Sequence, residues 1–284
     1  MAIRIIKTMA EMKNVADQLR LEGKRISLVP TMGYLHRGHA ALIERARTLA
    51  EIVITSIFVN PAQFAPNEDF ARYPRDLAHD TKIAEAAGAD IIFHPTASDV
   101  YMPTFSTYVE VEDVSKLFEG EFRPIHFRGV TTVVMKFFNI IKPHIAVFGQ
   151  KDAQQVFIIQ KMVRELNIDV QLSVVPIVRE TDGLAMSSRN KYLNEDEHKR
   201  ALVLSQALLK TKEHILAGER TVTRLRSEIQ TIIHTGQPTG IDYIAFINPD
   251  TFQATEVFPA QGILIALAVR FGTTRLIDNI LITL

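Results

Sequence analysis

The amino-acid sequence predicts an α/β fold, a doubly wound parallel sheet followed by a smaller α+β domain. Short apolar runs that are nearly continuous are typical of strands buried on both faces of a parallel sheet. Helical patterns separate these runs, and regular alternation of strands with helices indicates βαβ units. The predicted strands are residues 26–30, 52–58, 89–93, 145–148 and 170–175, and the predicted helices are 40–50, 77–87, 131–141 and 153–166.

The pattern changes after Pro176, which predicts a second and smaller domain. Residues 195–217 are predicted to form one long helix with Asn194 as its N-cap, because a short polar side chain there can accept a hydrogen bond from the first turn. The alternation of strands with helices does not continue, and we expect domains at residues 1–179 and 180–284. The other predicted elements are a helix at 222–234 and strands at 243–247, 263–269 and 275–282.

Composition and charge narrow the class of protein. The 284 residues carry 32 basic and 32 acidic side chains, and a formal net charge of zero disfavours a dedicated nucleic-acid binder. The absence of cysteine excludes disulfides, thiolate nucleophiles and cysteine-bound zinc. Residues 1–7 lack a signal-peptide pattern, and the apolar stretch 262–269 is too short to span a bilayer. We expect a cytoplasmic protein that binds neither nucleic acid nor membrane.

A segment with two histidines and two glycines, Pro30–His39, follows the first predicted strand and precedes a helix. Ligands bind at the carboxyl ends of strands in α/β sheets, and amides at a helix start attract phosphate. Gly33 and Gly38 allow the backbone to approach a ligand closely. His36 and His39 can donate hydrogen bonds to phosphoryl oxygens as charge develops. Two surface histidines in a turn are the alternative, and the position between strand and helix favours the phosphate site.

Three further features offer polar groups for ligand binding. The segment Gly149–Asp152 contains Lys151, whose ammonium group can bind phosphate as a point charge. Met186–Arg189 combines two hydroxyl groups with a guanidinium, which binds phosphate in a planar fork. Asn60 and Gln63 are neutral and suit a polar small molecule in a largely apolar pocket. Alone, each feature is better explained as part of an ordinary turn or loop, so only their joint occurrence indicates a binding site.

Two basic segments and one acidic run have ordinary explanations. Arg123–Gly129 could bind a carboxylate, and Tyr73–Asp76 precedes a helix that carries Asp80. Turns with a proline and exposed charges explain both segments without a ligand. The acidic residues 195–197 are best explained by their favourable interaction with the positive N-terminal end of the helix dipole, and not by binding of a metal ion.

The segments Pro30–His39 and Met186–Arg189 together resemble the HIGH and KMSKS motif pair of the nucleotidyltransferase superfamily. A longer set of motifs, in the right order, resembles the pantothenate synthetase family over nearly the whole chain. These motifs are Pro30–Gly33 with His36 and His39, Phe58–Pro61 with Gln63, Tyr73–Arg75, His126–Val130, Gly149–Asp152 with Gln155, Met186–Asn190 and Arg275–Asn279.

The resemblance implies a Rossmann-like N-terminal domain with a smaller C-terminal lid, and commonly a homodimer. It also implies an ATP-dependent ligase. ATP and pantoate would give pantoyl-adenylate and pyrophosphate, and the amine of β-alanine would then displace AMP to give pantothenate. Mg²⁺ would accompany the ATP. Because an acyl-adenylate hydrolyses easily, we expect the site to exclude water.

The resemblance also assigns roles to individual residues. The expected catalytic residues are His36, His39, Lys151 and Arg189, with His39 as the general acid. The expected contacts for pantoate and β-alanine are Gln63, Gln155, Asn60, Tyr73, Arg123 and His126. The expected ATP-binding residues are Met32, Gly33, Tyr34, Leu35, His36, Arg37, Gly38, His39, Gly149, Gln150, Lys151, Asp152, Val178, Met186, Ser187, Ser188 and Arg189.

Two positions depart from the family pattern. The acidic position on the metal side falls near Asp80, which is therefore the candidate Mg²⁺ ligand, but the preceding His79 replaces a residue that is often acidic. Gln150 stands where glutamate is also common, so a charge at that position is not required.

Three other classes of protein compete with this interpretation. An adenylyltransferase that acts on a phosphate acceptor would need extra basic residues, whereas Asn60, Gln63 and Gln155 are neutral. An aminoacyl-tRNA synthetase would usually carry an anticodon-binding appendage and a basic face, and neither is evident. A non-enzymatic nucleotide-binding module would not need both the HxGH and the Ser-Ser-Arg elements. Equilibrium ATP binding without pyrophosphate exchange would support that module.

Overall fold

The computed structural model describes residues 3–66 and 68–284, and the chain forms two compact units. The first unit comprises the chain up to Gln150 together with Gln154–Pro176, and the second comprises Lys151–Ala153 and Ile177–Leu284. The domain limits predicted at residues 179 and 180 stay a prediction about separately folding domains. Residues 1 and 2, which belong to the segment without a signal-peptide pattern, lie outside the described residues.

The first unit is built on a parallel sheet, as predicted, with six strands rather than the five that the sequence predicts. Its strands are β1 (Arg4–Ile6), β2 (Ile26–Thr31), β3 (Ile52–Ile57), β4 (Ile91–Phe93), β5 (Ile145–Gly149) and β6 (Gln171–Val175). They lie in the order β1-β4-β3-β2-β5-β6, so the chain changes direction across the sheet between β2 and β5. Such a switch point leaves a crevice at the carboxyl ends of the strands, where ligands bind. The edge strand β1 was not predicted.

Helices cross between these strands. They are α1 (Met9–Leu21), α2 (Arg37–Leu49), α3 (Leu77–Ala86), α4 (Ala97–Val100), α5 (Glu119–Phe122), α6 (His126–Ile141) and α7 (Ala153–Glu165). The start of α6 lies five residues before the predicted start at Thr131. Gly129 explains the difference, because it weakens the helical pattern in the sequence yet allows close packing. A Cβ atom at this position would lie 2.4 Å from the carbonyl oxygen of Ala62.

The central strands are buried on both faces, as their continuous apolar sequences predict. Leu28, Val29, Val53, Ile54 and Ile92 are each 0% exposed. Burying one such side chain contributes about 1.5–3 kcal/mol to folding. This core therefore provides a rigid support for the loops at the carboxyl edge of the sheet.

The second unit packs helices against a three-stranded antiparallel sheet with the order β7-β8-β9. Its elements are α8 (Glu195–Ala201), α9 (Val203–Leu216), α10 (Val222–Thr235), β7 (Gly240–Ile247), β8 (Ile263–Phe271) and β9 (Thr274–Ile282). Leu208, Ile229 and Leu267, which come from α9, α10 and β8, belong to one buried cluster and are each 0% exposed. The predicted α+β character of this region is confirmed.

The prediction of one long helix over residues 195–217 is wrong, because the helix is divided at Leu202 into α8 and α9. The N–H of Leu202 bonds to the carbonyl oxygen of Lys199, three residues back, which tightens the last turn of α8. The predicted N-cap is confirmed: Asn194 accepts a 2.8 Å bond from the N–H of Glu197, whose carboxylate accepts one from the N–H of Asn194. Within the described parts of the chain, no helix has the length and apolar character needed to cross a bilayer.

Candidate active site

The HxGH segment connects β2 to α2 at the carboxyl edge of the parallel sheet. His36 is the N-cap of α2, and its ring centroid lies 4.0 Å from that of His39. Nδ1 of His36 accepts a bond from the N–H of Gly38 (3.1 Å), and Nδ1 of His39 accepts one from the N–H of His36 (3.3 Å). A backbone N–H can only donate, so the hydrogen of each neutral ring lies on Nε2. Both Nε2 atoms are therefore donors, as binding to phosphoryl oxygens requires.

Asp80, from α3, holds the same loop at its backbone. Its carboxylate accepts bonds from the N–H groups of Tyr34 (2.9 Å) and Leu35 (2.6 Å), and the residue is 1% exposed. The neighbouring His79 donates from Nε2 to the carbonyl oxygen of Leu35 (3.0 Å). Burial raises the pKa of Asp80, and the two backbone hydrogen bonds only partly oppose that effect. These contacts favour a role in fixing the loop, and the role of Asp80 as metal ligand stays a prediction.

The turn into the loop needs backbone conformations that most residues avoid. Gly33 has a φ angle of +86° and Tyr34 one of +51°. A Cβ atom on Gly33 would lie 2.9 Å from both the Asp80 carboxylate and the Ile57 side chain. The glycine in this motif is therefore required by both conformation and space.

Asn60 and Gln63 lie together after β3, where Pro61–Gln63 forms a 3-10 helix, and they are 1% and 6% exposed. Asn60 donates from Nδ2 to the carbonyl oxygen of Gly129 (3.0 Å) and accepts at Oδ1 from the N–H of Ala62 (3.3 Å). These backbone groups have fixed polarity and so determine how the Asn60 amide is oriented. Nδ2 of Asn60 also donates to Oε1 of Gln63 (3.0 Å), which directs Nε2 of Gln63 towards Sδ of Met32 (3.1 Å).

Tyr101 also belongs to this cluster, although no sequence motif predicted it as a site residue. Its hydroxyl donates to Oδ1 of Asn60 (2.7 Å), and its ring lies 6.4 Å from the ring of Phe58. Burial raises the pKa of Tyr101, so it remains a neutral donor. No motif or spacing signals this contact, because 41 residues separate the two partners.

Three further predicted substrate contacts, His126, Arg123 and Tyr73, also belong to the first unit. His126 donates from Nδ1 to the carbonyl oxygen of Gln63 (3.2 Å). Arg123 donates to the Glu68 carboxylate at 2.8 and 2.5 Å, and Tyr73 is buried. Asn60, Gln63 and His126 therefore lie together in the cluster. Arg123, by contrast, already forms an ion pair with Glu68.

Two adjacent glutamines at the start of α7 differ in their surroundings. Gln154 is 5% exposed, accepts from the N–H of Glu119 (3.1 Å) and donates to the carbonyl oxygens of Val114 and Leu117 (2.8 Å each). Its amide is thus used by the segment before α6. Gln155 is half-buried. The assignment of Gln155 as a pantoate contact stays a prediction, whereas the amide of Gln154 is already engaged within the first unit.

The second unit contains a hairpin that leads into the Ser-Ser-Arg segment. We call residues 179–186 the loop hairpin: Arg179 pairs with Ala185 in an antiparallel bridge, and the N–H of Met186 bonds to the carbonyl oxygen of Val178 (3.0 Å). Beyond the hairpin, Oγ of Ser187 accepts from the N–H of Arg189 (3.2 Å). The expected ATP-binding residues of this segment are therefore held in a compact turn.

Glu180, Asp182 and His198 have atoms spaced as metal ligands would be. His198 bonds through Nε2 to Asp182 (2.8 Å), and this bond lowers the pKa of Asp182. Asp182 is exposed, and the group is explained by the hydrogen bond between His198 of α8 and Asp182 of the loop hairpin, without a metal ion. It lies apart in the sequence from the predicted metal residue, Asp80.

Comparison with known proteins agrees with this geometry. A profile described as pantoate-beta-alanine ligase matches residues 4–281. Pantothenate synthetases of Geobacter sulfurreducens and Acetivibrio thermocellus are 52% and 49% identical to the chain, covering 98% and 99% of both sequences.

Two crystal structures extend the comparison. One, of pantothenate synthetase from Thermus thermophilus, has a TM-score of 0.92 and 41% identity, covering 98% of this chain and 99% of that one. The other, of pantoate-beta-alanine ligase from Francisella tularensis, has a TM-score of 0.79 and 32% identity, covering 99% and 98%. It is described as complexed with beta-gamma ATP and beta-alanine.

The parallel sheet, its switch point and the HxGH loop define a Rossmann-like α/β protein. The chain belongs to the pantoate-beta-alanine ligase family, because the profile matches residues 4–281 and the relatives cover 98% and 99% of the chain. It is therefore a ligase, and the competing classes of nucleotide-binding module and aminoacyl-tRNA synthetase are set aside.

Proposed function

We propose that the chain joins pantoate to β-alanine in an ATP-dependent reaction that forms pantothenate and releases AMP and pyrophosphate. The observation that carries this proposal is the HxGH loop, with both Nε2 atoms set as donors, in a chain that matches the family over residues 4–281. The names of the relatives support the choice of substrates, and the ATP complex of one relative supports ATP.

The first half-reaction makes pantoyl-adenylate. A carboxylate oxygen of pantoate attacks the α-phosphorus of ATP, and the bond from that phosphorus to the β-phosphate oxygen breaks. Correct placement of two reactants can supply about 7–11 kcal/mol of the barrier. Negative charge grows on the leaving pyrophosphate, and the Nε2–H groups of His36 and His39 are suited to stabilise it. We propose that the general-acid role expected of His39 takes the form of a hydrogen bond donated from Nε2–H to the leaving oxygen, since full loss of that proton from the neutral ring would leave an imidazolate anion.

The second half-reaction makes the amide. The neutral amine of β-alanine attacks the acyl carbon, the bond from that carbon to the AMP oxygen breaks, and the nitrogen loses a proton to solvent. No pyrophosphate remains at this stage. Residues that stabilise the charge on the leaving pyrophosphate should therefore affect the rate of the first half-reaction alone.

Gln63 and Gln155 are proposed to bind pantoate. Because Asn60 occupies Oε1 of Gln63, Gln63 presents N–H donors to a ligand, and these match carboxylate and hydroxyl oxygens. Asn60 itself is committed to backbone groups and to Tyr101, so it supports Gln63 rather than touching substrate. Tyr73, Arg123 and His126 remain proposed secondary contacts.

We also propose that several residues of the second unit bind ATP. Lys151 and Arg189 would take phosphate oxygens, one as a point charge and the other as a planar fork. Ser187 and Ser188 would donate hydroxyl hydrogens to the same oxygens. Val178 would approach the adenine through its backbone, and Asp152 lies beside the Lys151 ammonium, 3.8 Å away.

We further propose Mg²⁺ and a homodimer, as the family resemblance implies, and a cytoplasmic location, as the composition predicts. Mg²⁺ prefers oxygen ligands and retains several waters. The Asp80 carboxylate does not fit a direct ligand of a hydrated ion, since it is buried and already accepts two backbone hydrogen bonds. Mg²⁺ is therefore expected to enter with the phosphates of ATP. The absence of cysteine suits a reducing compartment.

The decisive experiment is exchange of labelled pyrophosphate into ATP in the absence of β-alanine. Label should enter ATP only when pantoate is present, because exchange requires reversible formation of the adenylate. Exchange that depends on an amino acid or on a phosphorylated acceptor would instead identify another adenylate-forming enzyme and refute the proposal.

A further inference from the structure

Two adjacent residues of β9, Asp278 and Asn279, belong to the Arg275–Asn279 motif but have no role in the reaction described above. They are 2% and 3% exposed. A polar group buried to this degree destabilises the fold unless it is hydrogen-bonded. The partners of these two side chains therefore indicate what they do.

Asp278 holds the start of the loop hairpin. Its carboxylate accepts two bonds from the guanidinium of Arg179, at 2.7 and 3.0 Å, in a fork geometry. The same guanidinium donates to the carbonyl oxygen of Gly183 (3.2 Å), across the hairpin. The N–H of Glu180 bonds to the carbonyl oxygen of Leu184 (2.8 Å) and completes the turn. Asp278 thus fixes both arms of the segment that continues into Ser187–Arg189.

Asn279 holds the backbone of the other phosphate-binding element. Its Nδ2 donates to the carbonyl oxygen of Lys151 (2.9 Å), and its own N–H donates to Oδ1 of Asp278 (2.8 Å). A backbone carbonyl can only accept, so this contact requires a donor at position 279. Asparagine supplies one, whereas an aspartate would place negative charge against the carbonyl oxygen.

We propose that Asp278 and Asn279 are positioning residues, which fix the Arg179–Arg189 segment and the Lys151 backbone to one strand. This inference rests on the proposed function, since it assigns a purpose to the placement of Lys151 and Arg189. Charge stabilisation of a leaving group depends on donors that are already in place. A shift of about 1 Å in such a donor can cost about 10²-fold in rate.

The matched control is Asp242, a carboxylate of β7 in the same sheet whose side chain is 9% exposed. It accepts bonds from Arg270 (2.9 and 3.1 Å) and Arg275 (2.5 Å), so it resembles Asp278 in its chemistry and is largely buried as well. Its described partners lie outside the loop hairpin and residue 151. Asp242→Asn therefore reports the effect of weakening a carboxylate–arginine contact in this sheet, without disturbing the two phosphate-binding elements.

The experiment compares Asp278→Asn, Asn279→Asp and Asp242→Asn in the full chain. Hydrogen exchange is followed at the amides of Glu180, Gly183 and Met186. Single turnovers are run from ATP plus pantoate, and separately from preformed pantoyl-adenylate plus β-alanine. Asp278→Asn should speed hairpin exchange and slow adenylation by up to about 10²-fold. Asn279→Asp should slow adenylation with hairpin exchange unchanged. Amide formation should stay near normal in both variants, and Asp242→Asn should change neither step.

Equal slowing of both half-reactions, or an equal effect of Asp242→Asn, would overturn the proposal, because it would show general support of the sheet. If Asp278→Asn fails to fold, Arg179→Lys provides the same test, since it keeps the charge and loses the fork. If the wild-type chain makes no pantoyl-adenylate, the proposed function fails. Hydrogen exchange of Asp278→Asn then still decides whether Asp278 holds the hairpin.

Discussion

The HxGH loop of the first unit and the loop hairpin of the second are both held by a buried aspartate from a later element. Asp80 accepts directly from backbone N–H groups of its loop, at 2.6 and 2.9 Å. Asp278 instead binds the side chain of Arg179, which in turn reaches the hairpin carbonyl of Gly183. The first loop is therefore fixed at its backbone, whereas the second is fixed through a side chain with several rotatable bonds.

This difference bears on how each loop can respond to a ligand. A loop whose amides bond to a buried carboxylate can shift only by breaking those bonds, and each buried group left unsatisfied costs about 1–3 kcal/mol. The Arg179 side chain can change its torsion angles while both of its hydrogen bonds to Asp278 are kept. We expect the HxGH loop to be preformed, and the loop hairpin to allow small side-chain adjustments while Asp278 keeps its backbone in place.

The largest expected effect separates the chemistry of the two regions. His39→Ala in the first and Lys151→Ala in the second should each slow adenylation by roughly 10²–10³-fold, by analogy with loss of a single oxyanion donor. ATP affinity should change little, because the charge they stabilise grows only in the transition state. Single turnovers from preformed pantoyl-adenylate should remain near normal. Equal damage to both half-reactions would mean that these residues hold the adenylate or the fold.

The next largest effect concerns stability of the first loop. Asp80→Ala removes the acceptor of the buried Leu35 N–H and of the partly buried Tyr34 N–H, and we expect a loss of up to about 1–3 kcal/mol for each in urea unfolding. Asp76→Ala is the matched control, because Asp76 caps the same helix through the N–H of His79 (2.9 Å). Loss of an exposed cap costs about 1 kcal/mol. Similar losses for both variants would show that Asp80 acts only on its helix.

A smaller effect tests whether space or conformation requires Gly33. Gly33→Ala faces a positive φ and contacts at 2.9 Å, whereas Gly23→Ala faces a φ of +73° with nothing within 4 Å. The conformational penalty, on the order of 1–3 kcal/mol, is common to both. Gly33→Ala should therefore lower the free energy of unfolding further than Gly23→Ala. If the two variants unfold at the same urea concentration, the close contact with Asp80 contributes nothing.

The smallest effect is a pH dependence of opposite sign in the two units. Burial raises the pKa of Asp80 above 3.8, so the folded state binds more protons than the unfolded one and stability falls as pH rises through that window. For Asp242, burial is outweighed by hydrogen bonds from Arg270 and Arg275, which lower its pKa, so stability falls as pH drops below 3.8.

Urea midpoints measured from acidic to neutral pH check this contrast. Asp80→Asn should remove the decline seen on the alkaline side of 3.8, and Asp242→Asn should remove the decline on the acid side. The two variants should therefore change the profile at opposite ends. A parallel shift of the whole profile in either variant would contradict the assigned sign.

Much of the fold could be predicted, because buried strands such as β2 and β3 carry their apolar pattern in consecutive residues. The pattern failed where it was short or interrupted: β1 has three residues, and the turn at Leu202 is fully compatible with a helical sequence. The start of α6 was missed because Gly129 has a packing purpose that only its neighbour Ala62 reveals.

In the candidate site, the sequence indicated which residues belong together but not how they are supported. His36 and His39 are close in the chain, and their capping arrangement follows from local backbone geometry. The family resemblance made Asp80 the candidate Mg²⁺ ligand. The sequence could not show its hydrogen bonds to Tyr34 and Leu35, which lie 46 and 45 residues away and offer only backbone groups. A backbone amide has no sequence signature, so such a contact is invisible in the chain.

By itself, the sequence determined the family, the parallel sheet and the short motifs, since each is written in residues that are neighbours or nearly so. Only the tertiary structure decided the direction of the Gln63 amide, the tie from Tyr101 to Asn60 and the anchoring of Lys151 and Arg179 on β9. The physical reason is that a hydrogen bond depends on distance and polarity between two particular groups. Chain folding sets both, and residue types alone leave many pairings open.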